Sequence, residues 1–133
     1  MKSFHLEVVT PDGSLFAGEA ESLLVRTDCG DVEILAGHAD YLATLSTGRA
    51  RIRTAEGDRY ASISGGFLSV DKQSVKLVAT TFEFADMIDL NRAKAAKERA
   101  EETLTRAKDD REILLAQAKL KRAISRINIA ERK

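Results

Sequence analysis

Proline and glycine are scarce in this sequence, and both are confined to one part of it. The chain of 133 residues contains a single proline, Pro11, and eight glycines, all of which precede Phe84. Glycine supplies the positive φ angles of tight turns, whereas the segment after Phe84 is composed mainly of helix-forming residues. The sequence therefore predicts a turn-rich β unit followed by a helical unit.

Cysteine and long apolar runs are also nearly absent. Cys29 is the only cysteine, so no disulfide can form within the chain, which fits a reducing compartment. No stretch approaches the roughly 20 apolar residues of a membrane span, and the N-terminus reads as a strand rather than a signal sequence. We therefore expect a protein that is soluble or peripheral to a membrane, without direct membrane insertion.

Motifs for catalysis are missing as well. The sequence has no Gly-x-x-x-x-Gly-Lys-Ser/Thr phosphate loop, no Cys/His spacing suited to zinc and no nucleophile elbow. His38 stands in a loop without a neighbouring nucleophile or second ligand. Catalysis by this chain alone is not expected.

The charges are balanced overall but not along the chain. The segment before Phe84 has 8 basic and 12 acidic residues, and the segment after it has 13 basic and 9 acidic residues. This asymmetry fits either an anionic partner for the helical part or an ordinary solvated helix surface.

Short β-rich runs alternate with turn residues before Phe84, which is typical of a sandwich or barrel of antiparallel strands. In the run Arg49–Arg53 three arginines alternate with small or apolar residues and share one face of a strand. This face is either an exposed sheet surface or a docking surface, and the pattern leaves both open. The predicted strands are Phe4–Val9, Ser22–Thr27, Val32–Leu35, Arg49–Thr54, Tyr60–Ser64, Phe67–Val70 and Val75–Thr80.

After Phe84 the apolar period changes to about 3.6 residues, which predicts helices. Asp89 is placed to cap a first helix, with Ile88 and Ala93 forming a hydrophobic staple, and Asp109 with Glu112 resembles the capping box of a second helix. The sequence therefore predicts an antiparallel helical hairpin that bends near Asp109. Its two apolar stripes are Leu90, Ala93, Ala96, Ala100, Leu104 and Ala107, and Ile113, Ala116, Leu120, Ala123, Ile127 and Ala130.

The predicted bend contains neither glycine nor proline, so nothing local forbids one continuous helix. Residues 89–131 in a single helix would extend roughly 65 Å. The alanine-rich stripes bury little area, so the closed pair is expected to be marginally stable. Two interpretations remain: a switchable arm and a permanently folded pair of helices.

Basic residues are periodic on both predicted helices. Arg92, Arg99 and Arg106 recur every seven residues, and Lys119, Arg122 and Arg126 share a face of the second helix. If the helices pair, these stripes can converge on one groove, where arginine would bind phosphate oxygens. The alternative is that the arginines face water or form ordinary ion pairs.

The order of these features resembles the epsilon subunit of the rotary F-type ATP synthase over essentially the whole chain. The resemblance is carried by Leu6–Gly13, Gly37-His38, Ser64–Val70 and Ile88–Ala93. It implies an α+β protein, with a β-sandwich anchoring domain at residues 1–84 and a regulatory helical hairpin at residues 85–133. The implied function is a non-catalytic central-stalk subunit that couples proton transport to ATP synthesis and inhibits ATP hydrolysis when its hairpin opens.

The run Ile88–Ala93 also resembles a motif that binds ATP as a regulatory ligand in some members. Carried over by position, Glu83 and Asp89 would contact the base and ribose or shape the pocket. Arg92 and Arg99 would face the phosphates, and Arg122 would close from the second helix with Arg126. Ile88 and Ala93 complete the implied site. ATP, with or without Mg²⁺, would hold the hairpin folded.

The resemblance further implies partners and a location. These are the gamma subunit, the membrane rotor ring of c subunits, and the catalytic alpha/beta head when the arm is extended, at the cytoplasmic face of a bacterial membrane. Asp31 and His38 match the loop region that lies near the rotor ring. Glu33 stands where the family has glycine, and Ala36 and Asp40 stand where it has prolines.

Two alternatives to the regulatory function stay open. The chain is either the same subunit with a vestigial nucleotide site, or an unrelated adaptor whose basic helical arm binds nucleic acid or an acidic protein. Nucleic acid is disfavoured because no aromatic residue that could stack on bases follows Phe84.

Overall fold

The computed structural model of the chain describes residues 2–72 and 74–132. Seven strands are followed by a short 3-10 turn, Ala85–Met87, and two helices, α1 (Leu90–Arg106) and α2 (Asp110–Arg132). This is the predicted α+β architecture. The strands are β1 (Phe4–Thr10), β2 (Gly13–Ala20), β3 (Ser22–Thr27), β4 (Gly30–Leu35), β5 (Tyr41–Thr54), β6 (Gly57–Asp71) and β7 (Ser74–Phe84).

The strands pair in the order β2-β1-β7-β6-β5-β3-β4. All neighbours are antiparallel except β1 and β7, which run parallel with Leu6 opposite Val75. Parallel neighbours need a long connection, and here the five intervening strands provide it. The β-sandwich expectation is confirmed, with this one parallel pair as the exception to its antiparallel pairing.

Two long strands, β5 and β6, run through both layers of the sandwich. Their pairing is interrupted between Thr44, opposite Phe67, and Gly48, opposite Ile63. Gly66 lies in this interval with φ 104°, and a Cβ there would come 1.9 Å from the carbonyl oxygen of Val78. Only glycine fits this position. Because β6 continues through Gly65 and Gly66, the two strands predicted on either side of them, Tyr60–Ser64 and Phe67–Val70, are one strand.

The main core fills the space between the layers. It contains alternate residues of the strands, because a strand that faces a core on one side buries every second side chain. Leu6, Leu23, Ile52 and Leu77 are completely inaccessible to solvent. This core belongs to the β unit alone.

The predicted caps are present at both helices. The carboxylate of Asp89 accepts from the backbone N–H of Arg92 at 3.1 Å. The carboxylate of Asp109 accepts from the N–H of Glu112 at 2.8 Å, and the Glu112 side chain in turn accepts from the N–H of Lys108 at 3.0 Å. The break between the helices therefore has its own hydrogen bonds, as the capping pattern predicts.

The second helix packs both on α1 and on the sheet. The hydroxyl groups of Ser62 in β6 and Ser125 in α2 lie 2.8 Å apart. A small second core, which contains Ile88, Ala93 and Ile129, joins the turn before α1 to the end of α2. Among the described residues, neither helix has the length and apolar character needed to cross a bilayer.

Candidate functional site

A groove of about 410 Å³ runs between α1 and α2, and we call it the interhelical groove. Its floor is made of small side chains and its walls of basic ones. The predicted basic stripe of α2 lines it in full, whereas Arg99 lines it from the α1 stripe and Arg92 and Arg106 do not. The lining residues are Ala96, Arg99, Ala100, Thr103, Lys119, Arg122, Ala123 and Arg126.

Alanine determines how closely the helices approach. Ala100 of α1 and Ala123 of α2 are each 3% exposed, and Ala93 is completely buried. Small side chains at these positions let the two backbones come close, while the longer basic side chains beside them reach over the contact. The groove is therefore a consequence of the alanine stripes.

One wall of the groove is tied to the sheet. Arg126 of α2 contacts Glu83 of β7, with its Nε 2.7 Å from one carboxylate oxygen and its Nη2 3.2 Å from the other. Both side chains are partly buried, so this two-point pair is less screened by solvent than a surface ion pair. It links α2, the groove and the end of the last strand.

The remaining residues of the predicted nucleotide site lie at the start of α1. Ile88 and Ala93 are buried in the small second core, as the predicted hydrophobic staple requires. Asp89 is exposed and is used as the N-cap, and Arg92 is exposed and does not line the interhelical groove. The structure thus brings Arg99, Arg122 and Arg126 together, with Glu83 joined to them through Arg126, and leaves Asp89 and Arg92 outside the groove.

Two features of this region were not identified as site residues from the sequence. Lys119 lines the groove beside the arginines, although only its helical spacing and not the family motif pointed to it. The contact between Ser62 and Ser125 could not be foreseen, because it joins residues far apart in the chain. Among residues 2–72 and 74–132, no group of three or more histidine, cysteine or acidic side chains is arranged to hold a metal ion.

The two residues predicted near the rotor ring lie at opposite ends of β4. Asp31, at the start of the strand, forms an ion pair with Arg26 at 3.1 Å. His38 follows the end of the strand, where its Nδ1 lies 2.7 Å from the carbonyl oxygen of Ala39 and its ring makes an edge contact with Tyr41.

Two of the residues that depart from the family pattern in this region, Glu33 and Asp40, form polar contacts within the sandwich. Glu33 accepts a hydrogen bond from Ser22 at 3.1 Å and lies 3.5 Å from Arg51, so it is part of a cross-strand polar cluster. Asp40 accepts from the backbone N–H of Lys72 at 3.1 Å, just where the chain leaves β6. These two acidic residues therefore stabilise the sandwich itself.

Two arginines of the predicted run in β5, Arg51 and Arg53, form ion pairs within the sheet. Arg51 contacts Glu33, and Arg53 pairs with Asp58 through two contacts of 2.9 and 3.3 Å. The hydrogen bond and charge of Arg53 lower the pKa of Asp58 below its usual value. For Arg51 and Arg53, ion pairing across the sheet explains the alternation without an external partner.

A second cavity, of about 700 Å³, opens between the β3–β4 turn and the first half of β5. Its wall includes Leu42 and Phe67, which are 72% and 42% exposed. At its edge the carboxylate of Asp28 accepts hydrogen bonds from Thr44 and Ser46, which lower its pKa. We call the exposed apolar face around Leu42 and Phe67 the apolar patch.

Comparison with known proteins assigns both parts of the chain. Residues 3–85 match the beta-sandwich domain of the ATP synthase delta/epsilon chain, and residues 86–131 match its long alpha-helix domain. The ATP synthase epsilon chain of Bacillus pumilus is 37% identical over 130 residues, which cover 98% of both chains. That of Staphylococcus aureus is 36% identical over 134 residues, which cover 100% of both.

Solved structures agree with this assignment at the level of the fold. A chain of the Euglena gracilis mitochondrial ATP synthase superposes with a TM-score of 0.79 at 21% identity, covering 90% of this chain and 76% of that one. A chain from the central stalk and c-ring of the Tetrahymena thermophila mitochondrial enzyme gives a TM-score of 0.62 at 15% identity, covering 98% and 96%. The chain therefore belongs to the ATP synthase delta/epsilon chain family, as a non-catalytic epsilon subunit of the F-type enzyme.

Proposed function

We propose that this epsilon subunit couples proton transport to ATP synthesis and restrains ATP hydrolysis through its helical hairpin, and that ATP holds the hairpin closed. The observation that carries the proposal is the interhelical groove, in which three arginines from two alanine-packed helices face one cavity. A ligand that contacts both helices stabilises the closed hairpin, because the groove exists only when the helices are paired.

The hairpin has the properties that opening requires. Ala107 follows α1 with a ψ of 135°, and the helices would join if Ala107, Lys108 and Asp109 adopted helical angles, with ψ of about −42°. The residues at the bend carry side chains that a helix accepts. In the closed form Leu114 and Leu115 of α2 are 66% and 54% exposed, and we infer that they meet the catalytic head when the arm extends.

We infer ATP as the ligand because the groove presents guanidinium groups to a polyphosphate. Guanidinium groups bind phosphate oxygens through paired hydrogen bonds, and Arg99, Arg122 and Arg126 present three of them in one cavity. The nucleoside end is placed toward Glu83 and Asp89, as the family motif implies. At a concentration 100 times its dissociation constant, ATP would add about 2.7 kcal/mol to the stability of the closed form.

The β-sandwich is proposed as the anchor. The apolar patch around Leu42 and Phe67 is of the kind that marks protein–protein contacts, and we assign it to the gamma subunit. The region of Asp31 and His38 is assigned to the ring of c subunits. The subunit would then act as a peripheral component at the cytoplasmic face of the bacterial membrane.

Calorimetric titration of the isolated protein with ATP tests the nucleotide site. We expect saturable binding that is lost or weakened at least tenfold in Arg122→Gln, because a charge-assisted contact of about 1.5 to 3 kcal/mol is removed. Arg111→Gln is the matched control, since Arg111 is exposed at the start of α2 and outside the groove. No heat of binding at millimolar ATP would refute the ATP latch.

One observation favours a second function, the same subunit with a vestigial nucleotide site. Arg126 is already paired with Glu83, so the hairpin has a ligand-independent tie to the sheet. In that case the arm would respond to rotation or membrane energisation, and the titration above would give no binding. An unrelated adaptor is excluded, because both halves of the chain match the family.

A further inference from the structure

We propose that Lys119 binds the terminal phosphate of a nucleoside triphosphate in the interhelical groove and thereby sets the preference for ATP over ADP. The inference rests on the proposed ATP latch and names a specificity residue of that same groove. Lys119 lies outside the family motif, and its assignment comes from its place in the wall of the groove.

The order of side chains along the groove gives it a direction. Arg126 lies at the sheet end, where it contacts Glu83. Lys119 precedes it by seven residues on α2, which places it about 10 Å farther along the helix toward the bend. With the nucleoside at the sheet end, the phosphate chain runs along Arg122 toward Lys119.

Lys119 lies toward the bend end of the groove, as a donor of α2 without an acidic partner. The hydroxyl of Thr103, which lines this end with it, already donates to the carbonyl oxygen of Arg99 at 2.8 Å. Within residues 2–72 and 74–132, no acidic side chain lies within 4.0 Å of the charged groups of Arg99, Lys119 or Arg122. The ammonium group of Lys119 can therefore bind an anion without first breaking an ion pair.

Lysine also suits this position chemically. An ammonium group is a compact charge on a flexible stem, so it can reach a terminal phosphate that extends beyond the arginine side chains. A diphosphate, held at the same nucleoside end, would stop one phosphate short of it. Removal of the charge should therefore weaken ATP binding and leave ADP binding nearly unchanged.

The test is a pair of calorimetric titrations of the full-length protein, with ATP and with ADP, in the wild type, Lys119→Gln and Lys121→Gln. Lys121 is the matched control, because it carries the same charge on the same helix and lines a different cavity, between α2 and the sheet. Both lysines are exposed, and circular dichroism would verify that each variant keeps its helices.

In Lys119→Gln we expect the affinity for ATP to fall about tenfold and that for ADP to change less than twofold, as the loss of one charge-assisted hydrogen bond predicts. Lys121→Gln should match the wild type. Equal weakening of ATP and ADP, or no weakening, would overturn the assignment of Lys119 while leaving the ATP latch intact. A wild type that binds neither nucleotide would overturn both.

Discussion

The hydrogen bonds at the helical bend should determine how often the hairpin opens. The Asp109 carboxylate accepts from the N–H of Glu112 at 2.8 Å and caps α2 in the closed form. If α1 and α2 merged into one helix, that N–H would be bonded within the helix and the cap would have no role. The substitution Asp109→Ala therefore destabilises the closed form selectively.

Two effects set how far Asp109→Ala shifts the equilibrium between the closed and open forms. Loss of an Asp N-cap costs the closed form about 0.5 to 2 kcal/mol. Alanine in place of aspartate also favours the continuous helix, by up to about 0.7 kcal/mol. Together these terms shift the free-energy difference between open and closed forms by about 0.5 to 2.7 kcal/mol, which changes their ratio by a factor of about 2 to 85.

Distances between two spin labels would report this ratio. One label replaces Glu56 in the turn after β5, and the other replaces Asn128 near the end of α2. Both positions are exposed, and the native Cys29, which is also exposed, is changed to serine. Opening carries the 23-residue α2 away from the sheet by tens of ångströms, so open molecules should give a longer distance than closed ones.

The control is Asp109→Asn, which removes the same negative charge as Asp109→Ala but keeps a side chain that can cap the helix. Asparagine caps a helix about as well as aspartate, so this variant should keep the wild-type distance distribution. The reasoning would be refuted if Asp109→Ala left the open fraction unchanged, or if Asp109→Asn raised it as much as Asp109→Ala does.

Three further predictions concern other parts of the chain. Gly66→Ala should unfold the sandwich or lower its stability by more than about 3 kcal/mol, measured by urea denaturation, because the new methyl group would overlap the Val78 carbonyl; a midpoint near that of the wild type would contradict this. Leu42→Asp should abolish co-purification with the gamma subunit, whereas Leu114→Asp, at a similarly exposed leucine of α2, should not. If both variants co-purified with gamma equally well, the apolar patch would not be the docking surface. The hydrogen bonds from Thr44 and Ser46 lower the pKa of Asp28, so they stabilise the fold above pH about 4 and this stabilisation is lost as the pH falls below it. The free energy of unfolding of Asp28→Asn should therefore fall less than that of the wild type between pH 5 and 3. An equal fall in both proteins would count against this contribution.

Local patterns were sufficient to predict the helical part. Asp89 and Asp109 cap their helices as expected, because a cap depends only on the next three residues. The alanine stripes also face each other, with Ala100 and Ala123 buried. The convergence of Arg99 with the basic residues of α2 follows from these two results, since helical spacing fixes which side chains border the buried stripe.

The sheet was less predictable because its pairing depends on distant residues. Strand β2 (Gly13–Ala20) was not anticipated, since it contains two glycines and lies at an edge with only β1 beside it. The sequence predicted two strands, Tyr60–Ser64 and Phe67–Val70, whereas the single strand β6 continues through Gly66 despite its positive φ angle. The pairing of Arg51 with Glu33 likewise requires knowledge of the strand order.

The candidate site depends both on local sequence patterns and on contacts between residues that are distant in the chain. Periodicity indicated the basic wall of α2, and the family motif added Glu83 and the start of α1. The contact between Glu83 and Arg126 joins these two sets, and a pairing across 43 positions has no local signature. The use of Arg92 in the nucleotide site stays a prediction, because its side chain lies outside the groove.

The central claim is that ATP holds the hairpin closed, and an ATP titration of the spin-labelled Asp109→Ala variant tests it most directly. In that variant the open form is populated without ligand, so closure can be followed. We predict that the long distance disappears as ATP rises, with a midpoint that matches the calorimetric affinity, and that it persists when Arg122→Gln is added. An open fraction that stays constant from zero to millimolar ATP would contradict the account.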